Sequence, residues 1–404
     1  MKRYALHTLV CPFTGSDLSP VSFEETPVEL SGEALARCRR LGIDPAEAAS
    51  AVKEGVLYSE ESGKWFPIVN YTPIMLDFPT PLHAEFKERN AAKSDVLTRY
   101  SMADGQPREG ELFVQKTFTA QWDLLNHDNV SFGYTPAQRD EFTKIEFDWP
   151  PKVLEQSPLK ILEVGAGSGF ETASLERVTQ GEIYGFDLNL ALVRKGHLLA
   201  ANPFINNSIA SAFRLPLRPR TFQVVYSNGV LHHTYSTKLA FDAVERFRAD
   251  DGVVCIWVYA YEDYDNSRSA ALWYVAEWTF RPTIARLPSF WQNMVVKTMA
   301  WHLGRQLRKG GMLNREKWTA KDVEHSARDR WTCLYAHRHS FKEVITWFQE
   351  KGLEYKLMDA KAYQEKIGIP LIGIGIRGAS RAYFDRLARE GGAAAEKTAA
   401  GVGA

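Results

Sequence analysis

The chain has 404 residues, 45% of them apolar and 24% charged, which excludes a wholly disordered or fibrous protein and leaves room for more than one module. Forty-nine basic residues balance 49 acidic ones, so nucleic acid is not expected as a partner, since a chain built to hold it would be basic. No apolar run reaches the roughly 18 residues of a membrane helix, the first residues form no signal-peptide core, and the four scattered cysteines (Cys11, Cys38, Cys255, Cys333) predict a reducing compartment, the cytoplasm.

Residues 1–78 mix short apolar runs with turn residues and read as a small α+β module. Residues 79–158 carry Pro79 and Pro81 at one end and Pro150 and Pro151 at the other, and predict a helical linker that covers the ligand edge of the next domain. From residue 159 to 260 strands alternate with helices, the pattern of an α/β domain with a parallel sheet. Its strands are expected at Lys160 to Val164, Ile183 to Asp187, Gln223 to Ser227 and Val253 to Tyr259. The first and last are nearly continuous apolar runs, as in strands covered on both faces.

Residues 261–336 interrupt this domain. They are rich in aromatics, including Trp273, Tyr274 and Trp278, lack strand alternation, and predict a helical substrate cap. Those three aromatics either line a substrate pocket or form the cap's own core. The domain resumes over 337–378, where Ser340-Phe341-Lys342-Glu343 is a capping box opening a helix that Gly352 ends. Strands are expected at Leu353 to Met358 and Ile369 to Ile376, and the Gly/Ala-rich tail 391–404 is expected to be disordered.

The most informative segment is Leu162-Glu163-Val164-Gly165-Ala166-Gly167-Ser168-Gly169-Phe170, a strand running into a glycine-rich turn and a helix. A dinucleotide fingerprint needs its third glycine where Phe170 stands. Asp187 closes the next strand, where a carboxylate can accept ribose hydroxyls. Further on come Phe213-Arg214-Leu215-Pro216-Leu217 and Tyr226-Ser227-Asn228-Gly229-Val230-Leu231-His232-His233.

Together these marks resemble the class I S-adenosylmethionine-dependent methyltransferases. The resemblance implies a Rossmann-like sheet, parallel with an antiparallel final hairpin, and S-adenosyl-L-methionine as cofactor. It places Glu163, Gly165, Ala166, Gly167 and Gly169 around the methionine half, Asp187 and Leu188 at the ribose, Ser211 and Ala212 at the adenine, and Asn228 beside them. Two positions depart from the family: Ser211 stands where an acid usually holds the adenine amino group, and Gln223 where an Asp usually precedes the fourth strand.

The first module resembles the small zinc-ribbon proteins that activate methyltransferases, on Leu9-Val10-Cys11-Pro12-Phe13-Thr14 and Leu57-Tyr58-Ser59-Glu60-Glu61-Ser62-Gly63 with Phe66-Pro67-Ile68 and Pro73-Ile74-Met75-Leu76. Three of the four ligand positions are Thr14, Ser59 and Ser62, so the ribbon is expected without metal.

Methyl transfer is an in-line displacement governed by positioning, and a base is needed only for a protonated acceptor. His232, His233, His337 and His339 are the candidates, the last two projecting to one side of an extended segment. Eight basic against four acidic residues between Trp301 and Arg330 predict an anionic or aromatic small-molecule acceptor, transferred to at O, N or C. A homodimer is compatible with this reading. Two alternatives stay open: a non-catalytic methyltransferase-like scaffold, and a tRNA or nucleotide methyltransferase.

Overall fold

The computed structural model describes residues 1–123, 135–147, 159–261, 268–309, 320–367, 371, 373–386 and 389, so the tail 391–404 lies outside it. The described residues form two sheets. In the first, β1 (Ser19–Pro27), β2 (Ser50–Ser59), β3 (Lys64–Val69) and β4 (Thr72–Pro73) are antiparallel neighbours in chain order, and β5 (Ser101–Met102) runs parallel to β3. The helix Gly32–Leu41 joins β1 to β2. Ser31 caps it by accepting from the Ala34 N–H, and Gly42 ends it in the left-handed conformation.

The four ribbon positions do converge. The Cys11 thiol donates to Ser62 Oγ (3.2 Å), and Ser59 Oγ accepts from the Ser62 N–H (3.1 Å). Ser16 Oγ then links Ser59 Oγ (3.1 Å) to Thr14 Oγ1 (2.7 Å). Hydrogen bonds among hydroxyls and one thiol thus join the turn around Cys11 to Ser16 with the turn around Ser59 to Ser62.

The second sheet has the order β11-β12-β10-β9-β6-β7-β8, from β6 (Lys160–Val164), β7 (Glu182–Asp187), β8 (Ile205–Ile209), β9 (Phe222–Asn228), β10 (Arg248–Val258), β11 (Glu354–Leu357) and β12 (Ile374–Ala379). β12 is antiparallel to both neighbours and the other pairs are parallel. The chain leaves β6 toward β7 and β8 and returns to the other side as β9. The β6/β9 boundary is therefore a topological switch point, with its crevice at the strands' carboxyl ends.

β8 is absent from the sequence-based strands. Asn206, Asn207 and Ser208 hide its period, yet all five residues are buried. Asn206 Oδ1 accepts from the Lys2 N–H (3.2 Å), and its Nδ2 donates to Tyr4 (2.9 Å), so the first module satisfies part of a polar strand. Two of the expected strands also shift. β10 begins five residues before the expected Val253, and the last strand is Ile374–Ala379 rather than Ile369–Ile376, residues 368–370 and 372 being outside the description.

The modules share one core. Leu9, Val52, Leu57, Phe66 and Met75 pack with Leu162, Tyr184, Phe186, Leu215 and Leu217, all buried. Main-chain bridges Leu9–Leu217 and Ile74–Ile209 tie the first module to the second sheet.

Elemental analysis of purified protein should find no stoichiometric zinc, because neutral hydroxyls stand at three ligand positions. One zinc per chain that Cys11→Ala removes would overturn this.

Candidate active site

A cavity of about 650 Å³ opens at the carboxyl ends of β6, β7 and β9. Residues 165–168 of the glycine turn form part of its floor, and three glycines there, 165, 167 and 169, have positive φ. A Cβ on Gly165 would meet the Val230 side chain at 2.0 Å, and one on Gly167 the Trp122 ring at 2.8 Å. Gly169 does not line the cavity. It caps the helix Phe170–Thr179 with a left-handed φ of 85°, which favours glycine, and a Cβ there would also meet the Leu199 side chain at 2.5 Å.

Asp187 faces the same space from the end of β7. Its Oδ2 accepts from the Gly167 N–H (2.7 Å) and its Oδ1 from the Asn189 N–H (2.8 Å), while burial pushes its pKa up. Each oxygen is fixed by one main-chain donor and keeps lone-pair capacity for a ligand hydroxyl. Leu188, Ser211, Ala212 and Asn228 also line the cavity. The Phe213 and Tyr235 rings, stacked at 4.7 Å beside Ser211, offer a flat wall for a base. The residues present thus fit an adenosyl sulfonium cofactor: hydroxyl acceptors, a close-approach backbone and a stacking surface.

Glu163 was expected at the cofactor and instead lies behind the turn, 1% exposed and not in the lining. Its Oε2 accepts from Thr172 Oγ1 (2.5 Å), and burial raises its pKa to about 8. Its place on β6, one residue before Val164, points the side chain away from the ligand edge and into the helix–sheet layer.

The histidines separate. His233 lines the cavity, and its Nδ1 donates to the Tyr335 carbonyl (2.8 Å), which leaves Nε2 as the lone-pair nitrogen, 3.8 Å from the Asp329 carboxylate. Burial lowers its pKa, partly opposed by Asp329. His232 is wholly buried, stacks on Tyr259 at 3.9 Å and is held well below the ordinary histidine range by desolvation. His337 Nε2 bonds the Thr234 carbonyl (2.9 Å), while His339 bridges Glu343 (2.9 Å) and Thr237 (2.8 Å). Neither lines the cavity: their side chains turn to the 231–237 segment, while Tyr335, Ala336 and Arg338 beside them face the crevice.

The roof comes from the interrupting segment, as helices Arg268–Ala285, Ser289–Lys309 and Ala320–Trp331, and from Tyr335, Ala336 and Arg338. Glu277, Arg281, Leu303, Asp329, Arg330 and Arg338 reach the cavity. Of the basic run from Trp301 to Arg330, Arg330 is the cation in the lining. Arg305 is exposed, and the side chains of residues 306–319 are outside the description. Trp278 is 68% exposed and so belongs to neither pocket nor core, and the Trp273 and Tyr274 side chains are likewise undescribed. Phe118 and Trp122, from the helix Glu111–Asp123, and Trp257, Tyr259 and Tyr335 line the cavity instead.

Sequence reasoning also missed Arg139 and Glu171. Arg139, 2% exposed, bonds Glu146 (3.2 Å) and Tyr226 and stands 3.7 Å from Glu171, which accepts from Asn228 (3.1 Å). Glu171 follows the glycine turn and could have been flagged as acidic residue in a helix's first turn; Arg139 carried no signal. Among the described residues, His233, Asp329 and Cys333 are the one grouping whose potential metal-ligating atoms all lie within 4.8 Å.

Residues 162–256 match the methyltransferase domain family. Those residues are therefore a methyltransferase domain, with S-adenosylmethionine as its cofactor. The match leaves out residues 1–78, so the ribbon resemblance gains no support from it. Solved structures with a similar fold include the YcgJ protein of Bacillus subtilis (14% identity, 60% of this chain and 98% of that one, TM-score 0.35). A second is phosphoethanolamine N-methyltransferase 2 of Haemonchus contortus with phosphomonomethylethanolamine and S-adenosylhomocysteine (12% identity, 65% and 57%, TM-score 0.36). A third is an S-adenosylmethionine-dependent methyltransferase of Mesorhizobium loti (14% identity, 59% and 97%, TM-score 0.35). No curated protein sequence matches significantly.

Asp187→Ala should weaken S-adenosylmethionine binding in calorimetric titration by about 1.5–3 kcal/mol, the scale of hydrogen bonds to a charged group; unchanged affinity would remove Asp187 from the site. Glu163 has a folded pKa near 8 and an ordinary value of 4.5. The folded state therefore binds the extra proton, and stability falls as pH rises through 8. Between pH 7 and 8.5 this group should cost about 1 kcal/mol. Denaturant titrations of Glu163→Gln should lack that loss.

Proposed function

We propose that the protein transfers a methyl group to a small aromatic acceptor bearing an anionic group, in the cytoplasm. The observation that carries this reading is the continuity of one cavity. The glycine turn and Asp187 stand on one side of it, and an aromatic, guanidinium-bearing roof on the other. Gly165, Ala166 and Gly167 would hold the methionine half of the cofactor, Asp187 and Leu188 its ribose, and Ser211 and Ala212 its base. Bound there, the cofactor supplies an electrophilic methyl group on a sulfonium.

The chain's own residues do the positioning. Trp257, Tyr259 and Tyr335 present aromatic surface to a planar acceptor. Buried Glu277 orders Arg330 and Arg338 (3.3 Å to the latter), and Arg281 donates to the Ala336 carbonyl (3.2 Å), so a carboxylate or phosphate finds preset donors. The roof helices exclude water and restrict the acceptor to a near-attack geometry. His233 Nε2 and Asp329 Oδ1 point lone pairs toward one another, which suits a proton arriving on the acceptor. Four buried free cysteines accord with a reducing compartment.

The test is transfer of labelled methyl from S-adenosylmethionine to a panel of aromatic carboxylates, phenols and amines. Labelling confined to acceptors without an aromatic ring or anionic group would sink the reading. With an acceptor in hand, the rate should rise with pH through a pKa below the ordinary 6.5 of histidine, as neutral His233 becomes able to take a proton. His233→Gln should lower kcat by about 10²–10⁴-fold and abolish that limb, with cofactor affinity unchanged.

A further inference from the structure

The two long roof helices, Arg268–Ala285 and Ser289–Lys309, turn a second face outward. Trp278, Phe280, Phe290, Trp291, Met294 and Trp301 are each at least 50% exposed. In the second helix the exposed positions 290, 294, 297, 301 and 305 recur every three or four residues, so they share one face, while Val296 on the other side is fully buried. That helix packs along Ala320–Trp331, which takes up the inner side. Scattered single apolar residues are ordinary on a protein surface, but a helical stripe of large aromatics is an interaction site.

Charge decides what kind. Over the whole chain acids and bases balance, yet residues 268–309 hold seven basic residues and a single acid, Glu277. Glu277 is 1% exposed and turned inward to Arg330 and Arg338, so the outer face offers cations alone, among them the exposed Arg286, Lys297 and Arg305. The Arg305 guanidinium lies 5.5 Å over the Trp301 ring, which holds a cation at the level of an indole. Indole and phenyl rings edged by Lys and Arg match the boundary between headgroups and acyl chains of an anionic bilayer. Protein interfaces are also rich in tryptophan but depleted of lysine, and like charge opposes pairing of this face with its own copy. Among the described residues no helix is long and apolar enough to cross a membrane.

We propose that the Arg268–Ala285 and Ser289–Lys309 helices form a docking face for an anionic lipid surface. The helices would lie in the headgroup plane, with the aromatic rings inserted shallowly and Arg286, Lys297 and Arg305 over lipid phosphates. Arg281 and Leu303 of the same helices line the cavity, so docking brings the roof of the site to the membrane.

Flotation of the full chain with vesicles of phosphatidylcholine, with and without phosphatidylglycerol, tests this. Association is expected with the phosphatidylglycerol vesicles only, with a blue-shifted tryptophan emission, and weakened by added salt. The double variants Trp291→Ser/Trp301→Ser and Lys297→Glu/Arg305→Glu should each lower the partition coefficient at least about tenfold. Both should keep S-adenosylmethionine binding, which shows that they fold. No flotation with phosphatidylglycerol vesicles, or flotation that neither variant changes, would overturn the proposal. So would a dimer in sedimentation velocity that the tryptophan variant dissolves, since the face would then belong to a second copy of the chain.

Discussion

Everything at the site depends on how β6 ends. Its last residue, Val164, is followed by a turn whose Gly165 and Ala166 N–H groups both donate to the Phe186 carbonyl, at 2.7 and 3.1 Å. The next N–H, of Gly167, reaches the Asp187 carboxylate. Three consecutive donors of one turn are thus spent on the end of the neighbouring strand, and this clamps the Asp187 carboxylate to the backbone of the glycine turn. The clamp needs left-handed backbone at Gly165 and Gly167, and it leaves no space for a Cβ at either. Local sequence, strand pairing and cofactor geometry meet in those few atoms.

Around this clamp lies a layer of buried polar groups, of which Arg139, Glu171 and Asn228 reach the cavity and Glu146 and Tyr226 stand behind them. Arg139, Glu146, Tyr226, Glu171 and Asn228 form one network behind and beside the turn, and desolvation raises Glu146 to about 7. A guanidinium sealed among two carboxylates and a phenol is worth little net stability, but losing one member would strand the others without partners. Such a network restrains the helix Pro136–Phe147 against the Phe170–Thr179 helix and so sets the width of the cavity. The turns of the first module are likewise tied by short side chains: Cys11, Thr14, Ser16, Ser59 and Ser62 exchange hydrogen bonds.

The roof carries two faces with opposite duties. Inward, it places guanidinium groups and a buried carboxylate over the cavity. Outward, it leaves aromatic rings in water at a cost that a soluble surface alone does not explain. A helix can do both because residues three or four apart share a face and the intervening ones do not.

The sequence alone determined what depends on neighbours in the chain. The glycine turn, Asp187 at its strand end, the Ser340 N-cap and the described helices between residues 268 and 331 are local patterns, each with a local physical cause. Glu343, however, bonds His339 instead of closing the expected capping box. Only the tertiary structure decided the rest. β8 was hidden by three polar residues, one of which, Asn206, finds its partners some 200 positions away at Lys2 and Tyr4. Glu163 sits on β6 in the same motif as the glycines, yet strand alternation turns it into the interior, where desolvation changes its charge. Four histidines looked alike as titratable groups. Packing assigned one to the cavity, stacked one in the core, and tied two to a turn. Periodicity cannot show this, because burial and partners are set by elements distant in sequence and adjacent in space.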